Sequence, residues 1–180
     1  MAAVNTNLIG LDAKELEALV EIQGRPRYHG RQLFRAIYSR RERDFIRLTE
    51  LNREFREFLS SNYQLTYPSI IQKFVSSDGA ARYLLGVEDG KSVETVYMPE
   101  EDRVTLCLSS QVGCAVDCRF CFTALLGLQR NLAAGEIVGQ VLAVAEAEQI
   151  PRGARLNLVM MGMGEPLLNL VQDRRVISDR

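Results

Sequence analysis

The chain has three lysines against nineteen arginines and only four cysteines in 180 residues. Four cysteines are too few, and too crowded, for a disulfide scaffold. Cys107, Cys114, Cys118 and Cys121 lie within one short stretch, a pattern that suits metal or redox chemistry in a reducing compartment. No apolar run approaches the ~18–20 residues that a membrane span needs. Met1–Gly10 lacks the basic start and apolar core of a secretory signal. These absences predict a cytoplasmic protein with no membrane partner. There is no internal repeat and no low-complexity tract. With 47% hydrophobic and 25% charged residues, the composition excludes disorder, collagen and coiled coil.

Because lysine is scarce, positive charge means arginine. Ten of the nineteen arginines fall between Arg25 and Arg56. Guanidinium groups grip phosphate bidentately, which suits RNA or DNA. Glu42, Asp44, Glu50, Glu54 and Glu57 are interleaved with them, and the net charge of the chain is −1. The segment therefore reads either as a nucleic-acid contact or as a salt-bridged helical surface.

Periodicity divides the chain into three parts. In residues 1–62, Asp12 with Glu15 forms a capping-box signal ahead of Leu16, Leu19 and Val20, and Gly24 stops that helix. A second helix is expected over about 30–40 on Leu33, Phe34, Ile37 and Tyr38, and a third, capped by Thr49, on Leu51, Phe55, Phe58 and Leu59. Residues 63–103 carry three strand-like runs, Ser69–Val75, Ala81–Val87 and Ser92–Met98. The turn dipeptides Asp78-Gly79 and Asp89-Gly90 separate them, predicting an antiparallel meander. Residues 104–180 read as strand (Val104–Ser109), cysteine loop, helix (about 133–148) and strand (Leu156–Met161), a βαβ unit with parallel strands. The helix offers Ile137, Val138, Val141, Leu142 and Ala145 as its packing face. The class is α/β. Two strands leave the parallel sheet unfinished where the chain stops, so the chain reads as truncated; Gln172–Arg180 is polar and aperiodic.

Cys114, Cys118 and Cys121 have the spacing C-x3-C-x2-C. Three thiolates can hold three irons of a 4Fe-4S cube and leave the fourth open to a substrate, whereas an electron-transfer cluster normally takes four cysteines. A zinc site recruiting Cys107 as its fourth ligand, and cysteines buried for packing alone, are the alternatives. The second parallel strand ends in Gly162-Met163-Gly164-Glu165-Pro166. In parallel barrels the loops at the C-terminal strand ends carry the site, so this loop and the cysteine loop are expected to converge. Gly164 and Glu165 fit a ligand-binding backbone with a carboxylate, or a plain turn before proline. Met160, Met161 and Met163 read as core packing.

The cysteine spacing after a first barrel strand resembles the radical S-adenosylmethionine superfamily, whose fold is a partial (β/α) barrel. Longer runs narrow this. Val93–Pro99, Thr105–Cys114, Arg130–Leu132, Gly135–Val138 and Met161–Leu167 closely resemble the RlmN/Cfr family of RNA methyltransferases, as do Gln32-Leu33-Phe34 and Ile37-Tyr38 in the helical part. The resemblance fades after Asn169. It implies methylation of carbon 2 of an adenine in 23S rRNA and tRNA, using S-adenosylmethionine, a 4Fe-4S cluster and an external electron donor, by a monomer. By that resemblance Cys114, Cys118 and Cys121 would be the cluster ligands, and Gly164 and Glu165 would bind S-adenosylmethionine. Glu94 would accept a proton, where its residue type alone reads as an ordinary charge on an exposed strand. Cys107 would resolve a covalent protein–RNA intermediate by forming a disulfide with a C-terminal methyl-carrying cysteine. Strand alternation independently turns Thr105, Cys107 and Ser109 away from Val104, Leu106 and Leu108; a packing cysteine is the alternative. The methyl-carrying cysteine is not among the four present, so the chain is expected to bind a cluster without completing methylation. A non-catalytic zinc- or RNA-binding protein, and a gene-fragment product, are the competing readings.

Overall fold

The computed structural model describes residues 6–172. Of the polar stretch Gln172–Arg180, all but Gln172 lies outside the described residues. The N-terminal part begins with a two-residue strand, β1 (Thr6–Asn7), and helix α1 (Ala13–Ile22). The Asp12 carboxylate accepts from the Glu15 amide at 2.7 Å, while the Glu15 side chain accepts from the Asp12 amide at 2.9 Å. This reciprocal cap satisfies two amides that a helix start leaves open. Helix α2 (Tyr28–Phe34) runs on into a π turn over Arg35–Ser39. It starts two residues ahead of the expected position. The widened turn aims the Tyr38 hydroxyl back at the α1 entry, where it accepts from Gly10 N at 2.8 Å and donates to Leu11 O at 2.9 Å.

Helix α3 (Arg53–Asn62) is capped by Asn52, not Thr49. Residues 45–51 are consumed by a 3-10 turn and the bends that follow it, so Leu51 packs from outside the helix. Asn52 has extended backbone, and its side chain accepts from Phe55 N at 2.9 Å. After α3, β2 (Tyr63–Gln64) pairs in parallel with β1, a closure too short for sequence periodicity to reveal.

The strands β3 (Ser69–Val75), β4 (Ala81–Gly86), β5 (Ser92–Pro99) and β6 (Val104–Cys107) form successive antiparallel neighbours. A small antiparallel pair follows, β7 (Gln111–Val112) with β8 (Arg130–Asn131). Helix α4 (Ala134–Ala147) then leads to β9 (Leu156–Val159), which lies parallel to β6. The five-stranded sheet has the order β3-β4-β5-β6-β9, so the meander and the βαβ unit share one hydrogen-bonded surface. Both parallel strands end two residues short of their expected limits. Past Cys107 and Val159 the two chains cross-bond instead: Leu108 N donates to Val159 O at 2.8 Å, and Gly162 N to Leu108 O at 2.9 Å.

Helix α4 joins two cores. One face packs Ile137 and Val144 against Tyr83, Leu85, Val93, Leu106 and Leu108 of the sheet. The other gives Leu142 to the helical core of Leu16, Val20, Leu33, Ile37, Phe55 and Leu59. One sheet face is therefore covered, and the other carries half-buried and exposed side chains. Among the described residues no helix is long and apolar enough to cross a membrane.

Candidate functional site

On the open face the register lines up one residue from each strand. Phe74 stands opposite Arg82, Arg82 opposite Val96, Val96 opposite Cys107, and Cys107 opposite Val159. Residues paired across a sheet share a face, so Cys107 points to the open side while Leu106 is buried against α4. Burial pushes the Cys107 thiol up from its ordinary value, with a weaker opposing contribution from a hydrogen bond with the Met161 backbone. Its resting form is the neutral thiol. Glu94, two residues from Val96 on β5, takes the same side. Its carboxylate accepts from Arg82 Nη1 at 2.9 Å, with both side chains about half exposed.

The β7–β8 pair closes the neck of the cysteine loop. Gly113 there has φ +78°, and a Cβ on it would stand 1.8 Å from Gly127 O, so backbone touches backbone at the neck and only glycine fits. Inside the loop the Cys118 amide donates to Val116 O and the Cys121 amide to Cys118 O, both at 2.9 Å. A 3-10 turn over Phe122–Leu126 starts directly after Cys121. Hydrogen bonds from the Thr123 backbone and hydroxyl and from the Ala124 amide hold the Cys121 thiol below its ordinary value. Cys114, Cys118 and Cys121 are free and half-buried, as is Cys107. Phe120, Phe122 and Leu125 around them are 82–91% exposed.

Among the described residues no group of three His, Cys, Asp or Glu side chains is placed to hold a single metal ion. A zinc site needs its ligands converged on one centre at about 2.3 Å. A cube presents a separate iron to each thiolate, so its ligands stand further apart. The donor set here is three soft sulfurs, the ligand type that iron–sulfur clusters take, and it fits that group. No disulfide is formed among the four cysteines.

The second loop is seated on the end of β6. Ser110 N and Gln111 N both donate to Met163 O, at 2.9 and 3.2 Å, and Glu165 N donates to Gln111 Oε1 at 2.9 Å. Gly164 has φ +102°, and a Cβ there would lie 2.7 Å from Gln111 N; both its conformation and its surroundings demand glycine. The Glu165 carboxylate caps its own 3-10 turn, accepting from Leu167 N at 3.0 Å, so the turn reading of this residue is realised. Met160 and Met163 pack against the sheet core, but Met161 is 80% exposed. The expectation of three core methionines fails at Met161, because the strand ends at Val159 and the chain bends outward.

Three buried polar residues tie these pieces together: Ser109, which strand alternation already set beside Cys107, and Gln140 and Asn169, which the sequence pattern did not single out. Gln140 of α4 accepts from Ser109 N at 2.9 Å and from the Thr95 hydroxyl at 2.8 Å, and donates to Ser109 O at 2.9 Å. The Ser109 hydroxyl donates to Glu94 O at 2.6 Å and accepts from Met163 N at 2.9 Å. Asn169 donates to Ser110 O and Leu132 O, both at 2.9 Å. The backbone of Glu94, the end of the Cys107 strand and the Gly162–Glu165 loop thus share one buried knot. The available signal was a glutamine three residues after Ile137 on an apolar helix face, since a buried amide requires partners.

The arginine-rich segment is mostly paired. Glu17, almost fully buried, accepts from Arg27 at 2.8 Å and Arg31 at 2.7 Å. Arg25 bonds Glu54, Arg53 bonds Glu57, and Arg43 reaches Glu146. Arg40 pairs with Glu50, and Arg41 and Arg56 donate to backbone carbonyls.

Residues 6–65 match the family model described as the ribosomal RNA large subunit methyltransferase N-terminal domain. The chain is 49% identical over 167 residues to a probable dual-specificity RNA methyltransferase RlmN of Koribacter versatilis, covering 83% of this chain and 48% of that protein. It is 42% identical to the dual-specificity RNA methyltransferase RlmN of Cereibacter sphaeroides, over 96% of this chain and 47% of the relative. A crystal structure of a radical SAM methyltransferase from Sphaerobacter thermophilus superposes with a TM-score of 0.85 at 40% identity, over 97% of this chain and 51% of that one. The chain spans about half the length of the curated relatives it matches.

Proposed function

We propose that this chain, which belongs to the RlmN family, provides the cluster-binding, cofactor-binding and proton-handling groups of a radical S-adenosylmethionine methyltransferase acting on carbon 2 of an adenine in 23S rRNA and tRNA. The observation that carries this reading is the seating of the Gly162–Glu165 loop on residues 108–111, which lead from the Cys107 strand into the cysteine loop, at the ends of two adjacent parallel strands. That is where parallel barrels place their chemistry.

Cys114, Cys118 and Cys121 would hold the 4Fe-4S cluster, and hydrogen bonds from Thr123 and Ala124 already lower the Cys121 thiol from its ordinary value. When bound, cluster and S-adenosylmethionine supply the radical chemistry that an unreactive adenine carbon requires. Gly164 and Glu165 would bind S-adenosylmethionine: the glycine lets the loop pack tightly on Gln111, and the Glu165 carboxylate, one oxygen of which accepts from Leu167 N, would offer its other oxygen to the ammonium group. Glu94 would take the proton from the adenine carbon. Cys107 lies on the same face. Once deprotonated, its sulfur would attack the sulfur of the family's methyl-carrying cysteine, forming the disulfide while that sulfur's bond to the transferred carbon breaks and the carbon leaves with the base. That partner cysteine is not among the four of this chain. A cytoplasmic address, a monomeric state and an external electron donor belong to the same proposal.

Anaerobic reconstitution with iron and sulfide tests it. A brown chain with about four irons, which loses them on Cys114→Ala, Cys118→Ala or Cys121→Ala but keeps them on Cys107→Ala, is the expected result. A colourless chain holding one zinc, released by Cys107→Ala, would overturn it in favour of a zinc protein.

A further inference from the structure

The open sheet face carries a stacked pair that the reaction, as described, leaves unused. Phe74 on β3 and Arg82 on β4 stand opposite each other in the row that ends at Cys107. The Arg82 guanidinium carbon lies over the Phe74 ring, 4.7 Å from its centroid. One edge of the guanidinium is fixed by its bond to Glu94; among the described residues no other side chain bonds it. Phe74 is 42% exposed, and the Arg82 side chain is 49% exposed.

A second cation lies over a ring on the other side of the same two strands. Lys73 stands 5.4 Å from the Tyr83 ring centroid, but there the ring is buried and both groups bond Glu148 of α4. That pair fastens the sheet to its helix. Among the described residues no element covers the Phe74–Arg82 pair, and its arginine is held between a ring and a carboxylate, contacts that restrict its rotamers. The result is a planar cation and an aromatic ring, pre-arranged on a sheet face and open to solvent. Unstacked RNA bases are received on surfaces of this chemistry. Arg82 and Cys107 are two strand spacings apart, about 10 Å, so a base resting on Arg82 belongs to a nucleotide close to one held at Cys107.

We infer that Phe74 and Arg82 form a stacking shelf for an RNA base flanking the target adenine. This inference rests on the RNA-methyltransferase reading above. The chain contains no tryptophan, so Phe74→Trp installs a single fluorophore in the shelf. The probes are an RNA stem-loop with unpaired adenines in its loop and the same stem with an abasic loop. The adenine loop is expected to quench the fluorophore, and the abasic loop to leave it unchanged. Phe74→Ala should weaken binding of the adenine loop about five-fold or more. Arg82→Lys, which keeps the charge and loses the plane, should weaken it comparably while shifting the salt slope by less than about one. Melting curves of both variants should match that of the parent chain, which separates lost stacking from lost folding. Adenine-loop binding of parental strength in Phe74→Ala or in Arg82→Lys, or an unquenched fluorophore in a chain that binds this RNA, would overturn the shelf and leave the RNA reading standing. Failure of the chain to bind either loop would overturn both.

Discussion

The helical N-terminal part and the open sheet face differ in how they dispose of their reactive groups. The helical part holds ten arginines, yet most are committed to carboxylates or backbone carbonyls, and its buried Glu17 takes two of them. The sheet face and its loops hold fewer charges, and Arg82 and Glu94 there are paired with each other, but their thiols and rings are left open. Four thiols are free and half-buried, and Phe120, Phe122 and Leu125 stand in solvent. Composition draws attention to the first region, whereas unsatisfied chemistry lies in the second. A segment rich in one charge is a candidate site only as far as its charges lack partners.

The sharpest way to break this contrast is to remove a thiol. Cys118→Ala should reduce reconstituted iron from about four per chain to below one, with no change in the melting of the helical part, since Cys118 bonds to Val116 and Cys121 of its own loop. Parallel loss of iron and helical stability would show that the regions are not separable. Next in size is Gln140→Leu. It strips a buried amide N–H, a carbonyl and a hydroxyl of their partner, each worth about 1–3 kcal/mol when left unsatisfied. A loss of about 3 kcal/mol or more is expected, read as a fall in thermal midpoint of about 6–12 °C.

Much of this organisation is legible from residue order. Alternation and Asp-Gly turns give the meander, the Asp12–Glu15 pair gives the first helix, and the spacing of Cys114, Cys118 and Cys121 gives the loop. Two kinds of feature are not legible. The cap of α3 depends on whether residues 45–51 turn or coil, which decides between Thr49 and Asn52 through tertiary packing. The Gln140–Ser109 knot joins residues 31 apart, and no local rule pairs them. The register that puts Glu94, Arg82 and Cys107 on one face also spans three strands, and it emerges only when they pair.

A smaller effect is expected under acid, at the link between the sheet, the cysteine loop and α4. Arg130 at the foot of the cysteine loop bonds Asp89 at 2.7 Å and clasps Glu136 of α4 with two bonds at 2.7 and 2.8 Å. The arginine beside it lowers the Asp89 carboxyl to about 2, against about 3.9 in an unfolded chain. A carboxyl depressed in the folded state stabilises the fold above its unfolded value and loses that contribution as pH falls toward its folded value. Asp89→Asn should therefore flatten the acid limb of the stability profile between about pH 4 and 2, leaving its shape near neutrality unchanged. An unaltered acid limb would place the coupling elsewhere.

The smallest effect is expected where composition promised the largest. Arg31 is committed to Glu17, while Arg35 is exposed with no bonded side chain among the described residues. If the helical surface is saturated by its own acids, the double change Arg31→Glu and Arg35→Glu removes few phosphate contacts. The slope of log affinity against log salt for an adenine stem-loop should then move by less than about one, where two lost contacts would move it by about 1.8. The same measurement on Arg82→Ala should lose affinity with little change in slope, because a stacked base releases no counterions. A steep drop in slope for the helical variant would reverse the contrast: the ion pairs of the N-terminal part would then be a resting state that RNA phosphate displaces, and arginine pairing would be a poor guide to availability in this fold.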